Sequence, residues 1–231
     1  PLRTASLAVG HDPAFQPGGA YANYFTKLQT ASSGGSAPDV FWMNGPNFQL
    51  YASNGQLMSL SNIGIDTSDY PSSMVDLYKY DGTQYGVPKD FDTVGLWYNK
   101  AIFKKYNLTP PKTYAEFKAL GQKLLDNGIQ PLYEPVSDGW HQVLWFPELG
   151  PRYEQVKPGL AEALNTNKTK FADSDVMKTD LTQLKEMFDL GFFGKNALSD
   201  AWADRTKALS DGKVAMILAT SSYPAELAKD Y

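Results

Sequence analysis

The chain has 231 residues, of which 25 are acidic and 21 are basic, and its net charge at pH 7 is −4. The sequence shows no basic stripe, so nucleic acid is not expected as a partner. It contains no cysteine, which excludes disulfides, thiolate nucleophiles and cysteine-ligated metals. Aromatic residues make up 13% of the chain, which is typical either of a large aromatic core or of surfaces that stack on flat ligands.

The first part of the chain alternates between strand and helix patterns. A strand is predicted from Ala5 to Val9, followed by a helix over residues 20–35. A second strand is predicted from Val40 to Met43, and a helical turn or two follow over residues 47–57. This β-α-β-α order favours an α/β fold with a mostly parallel sheet.

The middle of the chain carries strong local signals. Asp81 and Gly82 stand between two aromatic runs and predict a hairpin turn. A strand is predicted from Val94 to Tyr98. Further on, Thr113 and Glu116 form a capping box, which begins the best-defined helix in the chain. Its apolar stripe consists of Phe117, Leu120 and Leu124, and its C-terminal stop is Gly128.

Two more strands and three helices are predicted in the last hundred residues. Strands are expected at residues 129–136 and 213–219, and helices at residues 174–191, at 200–212 and from Tyr223 onward. The apolar residues predicted to face inward from the first of these helices are Val176, Leu181, Leu184 and Phe188.

Polar and aromatic residues follow the predicted strands. In open α/β sheets, ligands bind at the carboxyl ends of strands. Those ends carry a mixture of small, polar and aromatic side chains that suits an uncharged polyhydroxyl ligand. They are residues 10–12, 44–45, 136–140 and 220–223.

Asp90 and Asp92 stand directly before the strand from Val94 to Tyr98, and four interpretations are open. They could be a catalytic pair, because a glycosidase needs two carboxyl groups roughly 5 to 9 Å apart. They could bind a metal, although no carboxylate–histidine cluster surrounds them. Asp92 could anchor a ligand through hydrogen bonds. Both could also be ordinary solvated acids.

Other catalytic signatures are missing from the sequence. The two histidines, His11 and His141, are not accompanied by a Gly-x-Ser-x-Gly elbow, and no phosphate-binding loop is present. Trp140 lies in a loop between a strand and a helix, where its indole could serve as a stacking platform. His141 beside it is either a ligand contact or a loop histidine.

Three segments resemble a known family. They are "APDVFWMNG", "YGVPKDFDTVGLWYNKAIFKKYNLTPPKTYAEFKALGQKL" and "DGKVAMIL". Together they are similar to the extracellular solute-binding proteins of ABC importers, in the carbohydrate-binding branch (family 1) that includes maltose-binding protein. The resemblance implies a periplasmic-binding-protein-like α/β fold, with two open-sheet lobes and a cleft between them.

The resemblance also implies a domain division. Residues 1–91 would be part of lobe 1, residues 92–231 part of lobe 2, and the hinge crossing would lie near residues 91–94. Family members are longer, so this chain, which begins with Pro1, is expected to be partial. The ligand-binding residues carried over by the resemblance are Asn44, Asp92, Trp140, His141, Ser222 and Tyr223.

One subsite departs from the family pattern. Family members often have Gly-x-Trp after the strand that matches "AMIL", and the tryptophan stacks on a sugar. This chain has Ser221, Ser222 and Tyr223 there instead. Stacking at that subsite therefore rests on Tyr223 or is absent.

The function implied by the resemblance is capture of a sugar or oligosaccharide outside the cell and its delivery to a membrane permease. The expectation is a non-enzymatic monomer that needs no cofactor or metal. It would be extracellular or periplasmic and tethered by an N-terminal lipid anchor that is not in this chain. The alternative is a glycoside hydrolase or lyase that uses Asp90, Asp92 or Glu134. A sensor or adhesion protein on the same fold is a weaker third hypothesis.

Overall fold

A computed structural model of the chain describes residues 21–61, 63–89, 92–145 and 157–230. The chain divides into two compact units, residues 1–91 and residues 92–231. The predicted strand from Ala5 to Val9, the strand end at residues 10–12 and Asp90 lie outside the described residues. The two units are treated separately below.

The first unit contains helices α1 (Tyr21–Ser33), α2 (Gly45–Ser53) and α3 (Ser72–Asp76), followed by strands β1 (Lys79–Tyr80) and β2 (Thr83–Gln84). The two longer helices confirm the sequence predictions for that region. Most of the buried core of this unit is contributed by α1 and α2 and is strongly aromatic. Its members are Tyr24, Leu28, Met43, Phe48, Tyr51 and Ala52.

The predicted strand from Val40 to Met43 is wrong, because the structure assigns no strand to these described residues. The backbone of Trp42 bonds to a side chain instead. The Tyr24 hydroxyl accepts from the Trp42 N–H at 3.0 Å and donates to the Trp42 carbonyl oxygen at 2.8 Å. The Tyr24 hydroxyl therefore satisfies the backbone N–H and carbonyl of Trp42, the two groups that would otherwise bond to a neighbouring strand.

The predicted hairpin is confirmed. Strands β1 and β2 are antiparallel, with Lys79 opposite Gln84 and Tyr80 opposite Thr83. The turn residues Asp81 and Gly82 both have left-handed backbones, with φ of 47° and 73°. Two successive positive φ angles are typical of a type I′ turn, whose twist matches that of the two strands.

The second unit is a mixed α/β unit with a three-stranded sheet. Its strands and its longer helices, α5 and α7, follow the sequence predictions closely. In chain order the elements are β3 (Val94–Tyr98), α4 (Lys100–Lys105), α5 (Tyr114–Asp126), β4 (Gln130–Tyr133), α6 (Leu160–Asn165), α7 (Asp175–Asp189), α8 (Arg205–Ser210), β5 (Val214–Thr220) and α9 (Tyr223–Asp230).

The sheet order is β3-β5-β4, with β4 parallel and β3 antiparallel to β5. The sheet of this unit is therefore mixed, with one parallel and one antiparallel pair of strands. Two helices, rather than one, separate β3 from β4 in the chain. The chain consequently returns to the sheet in the opposite direction, which a single crossover helix would not allow.

Strand β5 is the central strand of the sheet and is buried on both faces. Met216 and Leu218 belong to one hydrophobic cluster, whereas Ile217 and Ala219 belong to another. Because alternate residues of a strand point to opposite faces, the two clusters cover the two sides of the sheet. An uninterrupted apolar run, as in "VAMILA", is typical of such a strand.

Helix α5 begins at the predicted Thr113 cap, but the Glu116 side chain bonds to the N–H of Lys112 and not to that of Thr113. The Thr113 hydroxyl accepts from the Glu116 N–H at 3.2 Å, and the Glu116 carboxylate accepts from the Lys112 N–H at 2.7 Å. Gly128 follows the helix with a φ of 72°, a left-handed conformation that ends helices readily when the residue has no Cβ.

The predicted inner face of helix α7 is partly wrong. Leu181 and Phe188, which were expected to face inward, are each 47% exposed. The buried positions are instead Met177, Asp180 and Met187. Spacing of three and four residues fits both stripes, so neighbouring elements, and not the helix pattern, determine which stripe is buried.

Asp180 is the charged member of that inner face and lines a cavity of about 550 Å³. The residue is 5% exposed, and its Oδ2 atom has no hydrogen-bond partner among the described residues. Burial raises the pKa of its carboxyl to about 6, because desolvation penalises the ionised form. An unfolded aspartate titrates near ~3.9, so folding becomes less favourable as the pH rises from about 4 to about 6.

The Asp180→Asn variant should therefore unfold at a higher urea concentration than wild type at pH 7.5. The expected gain in unfolding free energy is about 1–2 kcal/mol, less than the ~3 kcal/mol that the pKa difference represents, because the buried amide also lacks partners. The gain should shrink at pH 4.5. The control Asp175→Asn, whose side chain is 98% exposed, should change the free energy by less than about 0.5 kcal/mol. Equal stability of Asp180→Asn and wild type at pH 7.5 would contradict this account.

The described residues contain neither a membrane-spanning helix nor a metal-binding cluster. None of the helices in these ranges is long and apolar enough to cross a membrane. No group of three or more histidine, cysteine, aspartate or glutamate side chains in the same ranges is arranged to hold a metal ion.

Candidate ligand-binding site

Several predicted site residues of the second unit lie at one edge of its sheet. The carboxyl ends of β4 and β5 lie at the same edge because these two strands are parallel. The amino end of β3 joins them because β3 is antiparallel to β5, and Val94 is opposite Thr220. We call this end of the sheet, where β4 and β5 finish and β3 begins, the strand edge. It holds Asp92, the loop after β4 and residues 220–223.

Asp92 is the centre of a polar cluster at the strand edge. Its Oδ1 atom accepts from the Thr93 N–H at 3.1 Å, from the Ser221 N–H at 2.7 Å and from the Ser221 hydroxyl. Its Oδ2 atom accepts from the Ser222 hydroxyl at 3.1 Å, and Thr220 Oγ1 lies 2.8 Å from Ser222 Oγ. The carboxylate therefore joins the beginning of β3 to the end of β5.

These hydrogen bonds set the ionisation of Asp92. Desolvation opposes the charged form, but hydrogen bonds from Ser221, Ser222 and Thr220 outweigh it and lower the pKa of the carboxyl below its ordinary value. Asp92 is therefore a carboxylate at neutral pH. A lowered pKa suits an acceptor of hydrogen bonds and does not suit a general acid.

The Asp92 carboxylate also has capacity for a ligand. An ionised carboxylate offers about four acceptor positions, and Oδ2 receives a single hydrogen bond from the described residues, that of Ser222. The side chain is exposed. A hydroxyl group arriving from solvent could therefore donate to Oδ2 without displacing the bonds at Oδ1.

Trp140 lies in the loop that follows β4 and is half-buried. A short 3-10 turn, Val136–Asp138, leads to Gly139, whose φ of 70° reverses the chain just before the indole. The loop is held to a later segment, because the Ser137 hydroxyl donates to the Asp200 carbonyl oxygen at 2.8 Å. The Asp138 carboxylate also accepts from a backbone N–H in that segment.

The Trp140 indole belongs to an aromatic group. Its ring meets Trp202 edge to face, with centroids 5.2 Å apart, and meets His141 similarly at 5.4 Å. Trp202 also contacts the His141 ring at 5.1 Å and has the Arg205 guanidinium 4.0 Å above it. Trp202 is thus packed among three side chains, and together with His141 it supports Trp140.

The geometry does not support His141 as a direct ligand contact. The residue is 0% exposed. Its Nδ1 atom lies 2.8 Å from Glu134 Oε1, and its Nε2 atom lies 2.8 Å from the Leu218 carbonyl oxygen. Both ring nitrogens are therefore bonded inside the protein, which leaves neither of them for a ligand.

Tyr223 and Glu134 are enclosed in the same way. Tyr223 is 1% exposed at the start of α9, where its ring packs against Trp97 and lies 6.0 Å from the Arg205 guanidinium. This burial does not support a stacking role for Tyr223. Glu134 is also 1% exposed, and both carboxylate oxygens are bonded, to His141 and to Trp145. It is not placed to attack or protonate a substrate.

Asn44 lies in the first unit and caps helix α2. Its Oδ1 atom accepts from the Asn47 N–H at 3.1 Å and from the Asn47 side-chain amide at 2.7 Å. The side chain is half-buried. This capping role accounts for an asparagine at that position, and ligand binding by Asn44 stays a prediction.

The sequence prediction missed two residues of the strand edge. Ser221 provides a backbone N–H and a hydroxyl to Asp92, and it lies directly beside the predicted Ser222. Trp202 packs against Trp140. The only indication of Trp202 in the sequence is a single tryptophan in the segment "DAWAD". That signal is weak, because nothing in the local pattern pairs Trp202 with a residue 62 positions earlier.

The arrangement is typical of a protein that binds a neutral polar ligand. A fixed carboxylate, two serine hydroxyls and an exposed part of an indole lie at the ends of strands. Such a site can hold a neutral polar ligand by hydrogen bonds and by stacking.

Comparisons with known proteins agree with this class. The family model described as "Bacterial extracellular solute-binding protein" matches residues 12–231. This chain therefore belongs to the bacterial extracellular solute-binding protein family, and the resemblance noted in the sequence is confirmed.

Two curated relatives illustrate the family. An uncharacterized ABC transporter extracellular-binding protein of Pyrococcus horikoshii is 32% identical over 165 residues, which cover 67% of this chain and 37% of that protein. The diacetylchitobiose binding protein of Streptomyces coelicolor is 32% identical over 123 residues, covering 51% of this chain and 28% of that protein. The matches thus span well under half the length of either relative.

A solved structure shares the fold. It comes from work on xylan utilization by the thermophilic bacterium Caldanaerobius polysaccharolyticus, and it matches with a TM-score of 0.75 and 25% identity. The match covers 86% of this chain and 51% of that chain. The α/β fold class of solute-binding proteins is therefore confirmed.

Proposed function

We propose that this chain is part of the solute receptor of an ABC importer and that it binds a sugar or short oligosaccharide outside the cell for delivery to a membrane permease. The observation that carries the proposal is the Asp92 carboxylate, which Ser221 and Ser222 fix at the end of β5. Membership of the extracellular solute-binding family supports it.

The chemistry of the strand edge suits a sugar. Each sugar hydroxyl can donate one hydrogen bond and accept others, and a bond to a carboxylate is stronger than one to a neutral acceptor. The C–H face of a pyranose ring is apolar and fits against an indole. Asp92 and Trp140 supply one contact of each kind.

The relatives suggest which sugars to try first. One relative is described as binding diacetylchitobiose, and the solved structure comes from work on xylan utilization. Both names point to short chains of pyranose sugars. We infer that this chain binds an oligosaccharide of the same general kind, with Trp140 beneath one ring and Asp92 at its hydroxyls.

We further propose a partner, an oligomeric state, a location and a lobe division for this receptor. The partner is the transmembrane permease of the importer, and the receptor acts as a monomer. It lies outside the cytoplasmic membrane, where an N-terminal lipid anchor would tether it. Residues 1–91 and 92–231 are proposed as parts of its two lobes, and binding requires no cofactor.

We also infer that binding, and not catalysis, is the activity of this site. The alternative of a glycoside hydrolase or lyase needs a carboxyl group that can give up or take a proton at the substrate. Asp92 has a lowered pKa, and Glu134 is enclosed with both oxygens bonded. Neither is suited to be the acid, and Asp90, the third candidate, lies outside the described residues.

A sugar panel tests the proposal. The full natural chain should be stabilised against heat by at least one of diacetylchitobiose, xylobiose, maltose and raffinose, because a ligand that binds only the folded state raises its stability. A reducing-end assay of the same mixtures should detect no cleavage. Stabilisation by none of these sugars, or release of new reducing ends, would contradict the proposal.

A further inference from the structure

A buried polar chain lies directly behind the Trp140 loop. The Trp145 Nε1–H donates to Glu134 Oε2 at 2.8 Å, and Glu134 Oε1 lies 2.8 Å from His141 Nδ1. The His141 Nε2 atom is 2.8 Å from the Leu218 carbonyl oxygen in β5. All three side chains are at most 5% exposed. This hydrogen-bonded network therefore joins the end of β4 to β5 through the His141 imidazole.

The hydrogen bonds fix the orientation of that imidazole. A carbonyl oxygen can only accept, so His141 Nε2 carries a proton that it donates to Leu218. Nδ1 makes the second hydrogen bond of the ring, to Glu134 Oε1 at 2.8 Å, and Glu134 Oε2 accepts from Trp145. Rotation of the ring about χ2 would break both bonds and leave buried polar atoms unpaired, which is costly.

The His141 ring also packs against the indoles of Trp140 and Trp202. Its centroid lies 5.4 Å from that of Trp140, with the planes at 71°, and 5.1 Å from that of Trp202. Trp140 and Trp202 also contact each other. Trp140 follows a left-handed glycine in a short loop, and both rings pack against its indole.

We propose that His141 is a positioning residue of the site, locked by Glu134 and the Leu218 carbonyl so that its ring holds the Trp140 indole in the orientation that stacks on the ligand. The proposal rests on the proposed function for the identity of the ligand. It assigns a role to a buried pair that neither contacts the ligand nor takes part in catalysis. The competing interpretation is that His141 serves stability alone.

A double-mutant cycle separates these interpretations. His141→Phe keeps a ring but removes both hydrogen bonds, and Trp140→Ala removes the indole. Affinity is measured by calorimetry for the sugar of the four-member panel that the wild type binds most tightly. If His141 acts through Trp140, His141→Phe alone should weaken binding about 10-fold. In the Trp140→Ala background the same change should then add less than about 2-fold.

A fluorine signal gives a readout that needs no ligand. The protein is labelled with 5-fluorotryptophan, and the Trp140 resonance is assigned from its loss in Trp140→Phe. His141→Phe should broaden or split this resonance. The control Leu124→Ala removes a fully buried side chain from α5 and should lower stability while leaving the resonance unchanged.

The outcomes are distinct. Additive losses in the cycle, or an unchanged Trp140 resonance in His141→Phe, would overturn the positioning role. If His141→Phe does not fold, His141→Gln replaces it in both measurements, because the amide keeps one donor for the Leu218 carbonyl. If the wild type binds none of the four sugars, the proposed function fails, and the fluorine signal still decides whether His141 orients Trp140.

Discussion

Replacing Asp92 by alanine should weaken sugar binding about 10- to 100-fold, or about 1.4–2.8 kcal/mol. The loss has two sources. The variant lacks the carboxylate that accepts from a ligand hydroxyl, a charge-assisted bond. It also releases Ser221 and Ser222, which Asp92 holds in place at the end of β5.

Calorimetry with the tightest-binding sugar of the panel measures the loss. The matched control Asp189→Ala removes an aspartate whose side chain is 56% exposed at the end of α7, and it should change affinity less than about 2-fold. Asp92→Asn should fall between alanine and wild type, because it keeps one acceptor oxygen without the charge. Unaltered binding in Asp92→Ala would remove Asp92 from the site.

The second large effect is expected for Trp140→Ala. The change removes the only indole for which we propose contact with the sugar ring, and stacking of this kind contributes about 0.5–1.5 kcal/mol beyond burial of the ring area. Together the two terms should weaken binding about 10- to 100-fold. The free energy of unfolding should change little, because Trp140 lies in a loop and is half-buried.

Two comparisons make this prediction specific. Trp140→Phe keeps a flat face and should retain most of the affinity, with a loss below about 5-fold. Phe188→Ala removes an aromatic side chain that is 47% exposed on α7, and it should leave affinity unchanged. A loss in Phe188→Ala equal to that in Trp140→Ala would show that the effect is not local to the strand edge.

The pH dependence of binding follows from the lowered pKa of Asp92. A depressed carboxyl pKa means that the ionised form, and the binding that depends on it, persists to lower pH than for an ordinary aspartate. It is lost only as the pH falls through the folded-state value. Affinity should therefore be flat from about pH 8 to about pH 5 in calorimetric titrations. A steep loss of affinity between pH 7 and pH 5 would contradict the ionisation state that we assign to Asp92.

Local signals in the sequence predicted local structure well. The Asp81-Gly82 turn needs two positive φ angles, and these residue types tolerate them, so the hairpin could be recognised from two letters. The capping box at Thr113 and Glu116 likewise involves atoms only a few residues apart. The convergence of Asp92 and Ser222 was implied by the family resemblance, and the structure brings them to 3.1 Å.

Features that depend on tertiary contacts could not be predicted. The spacing of residues in α7 allows either of two faces to be the inner one. Packing against the sheet buries the face that contains Met177, Asp180 and Met187. The environment of His141 depends on a carbonyl oxygen 77 residues away in β5. The burial of His141 therefore has no local signature. The sequence left two interpretations open, a ligand contact or a loop histidine.

A crystal structure of the full natural chain with its tightest-binding sugar would test the central claim most directly. We expect intact sugar at the strand edge, with a hydroxyl oxygen within about 3.2 Å of Asp92 Oδ2 and a pyranose face against the Trp140 indole. Sugar bound elsewhere with this edge filled by solvent, or a cleaved product at Asp92, would contradict the account.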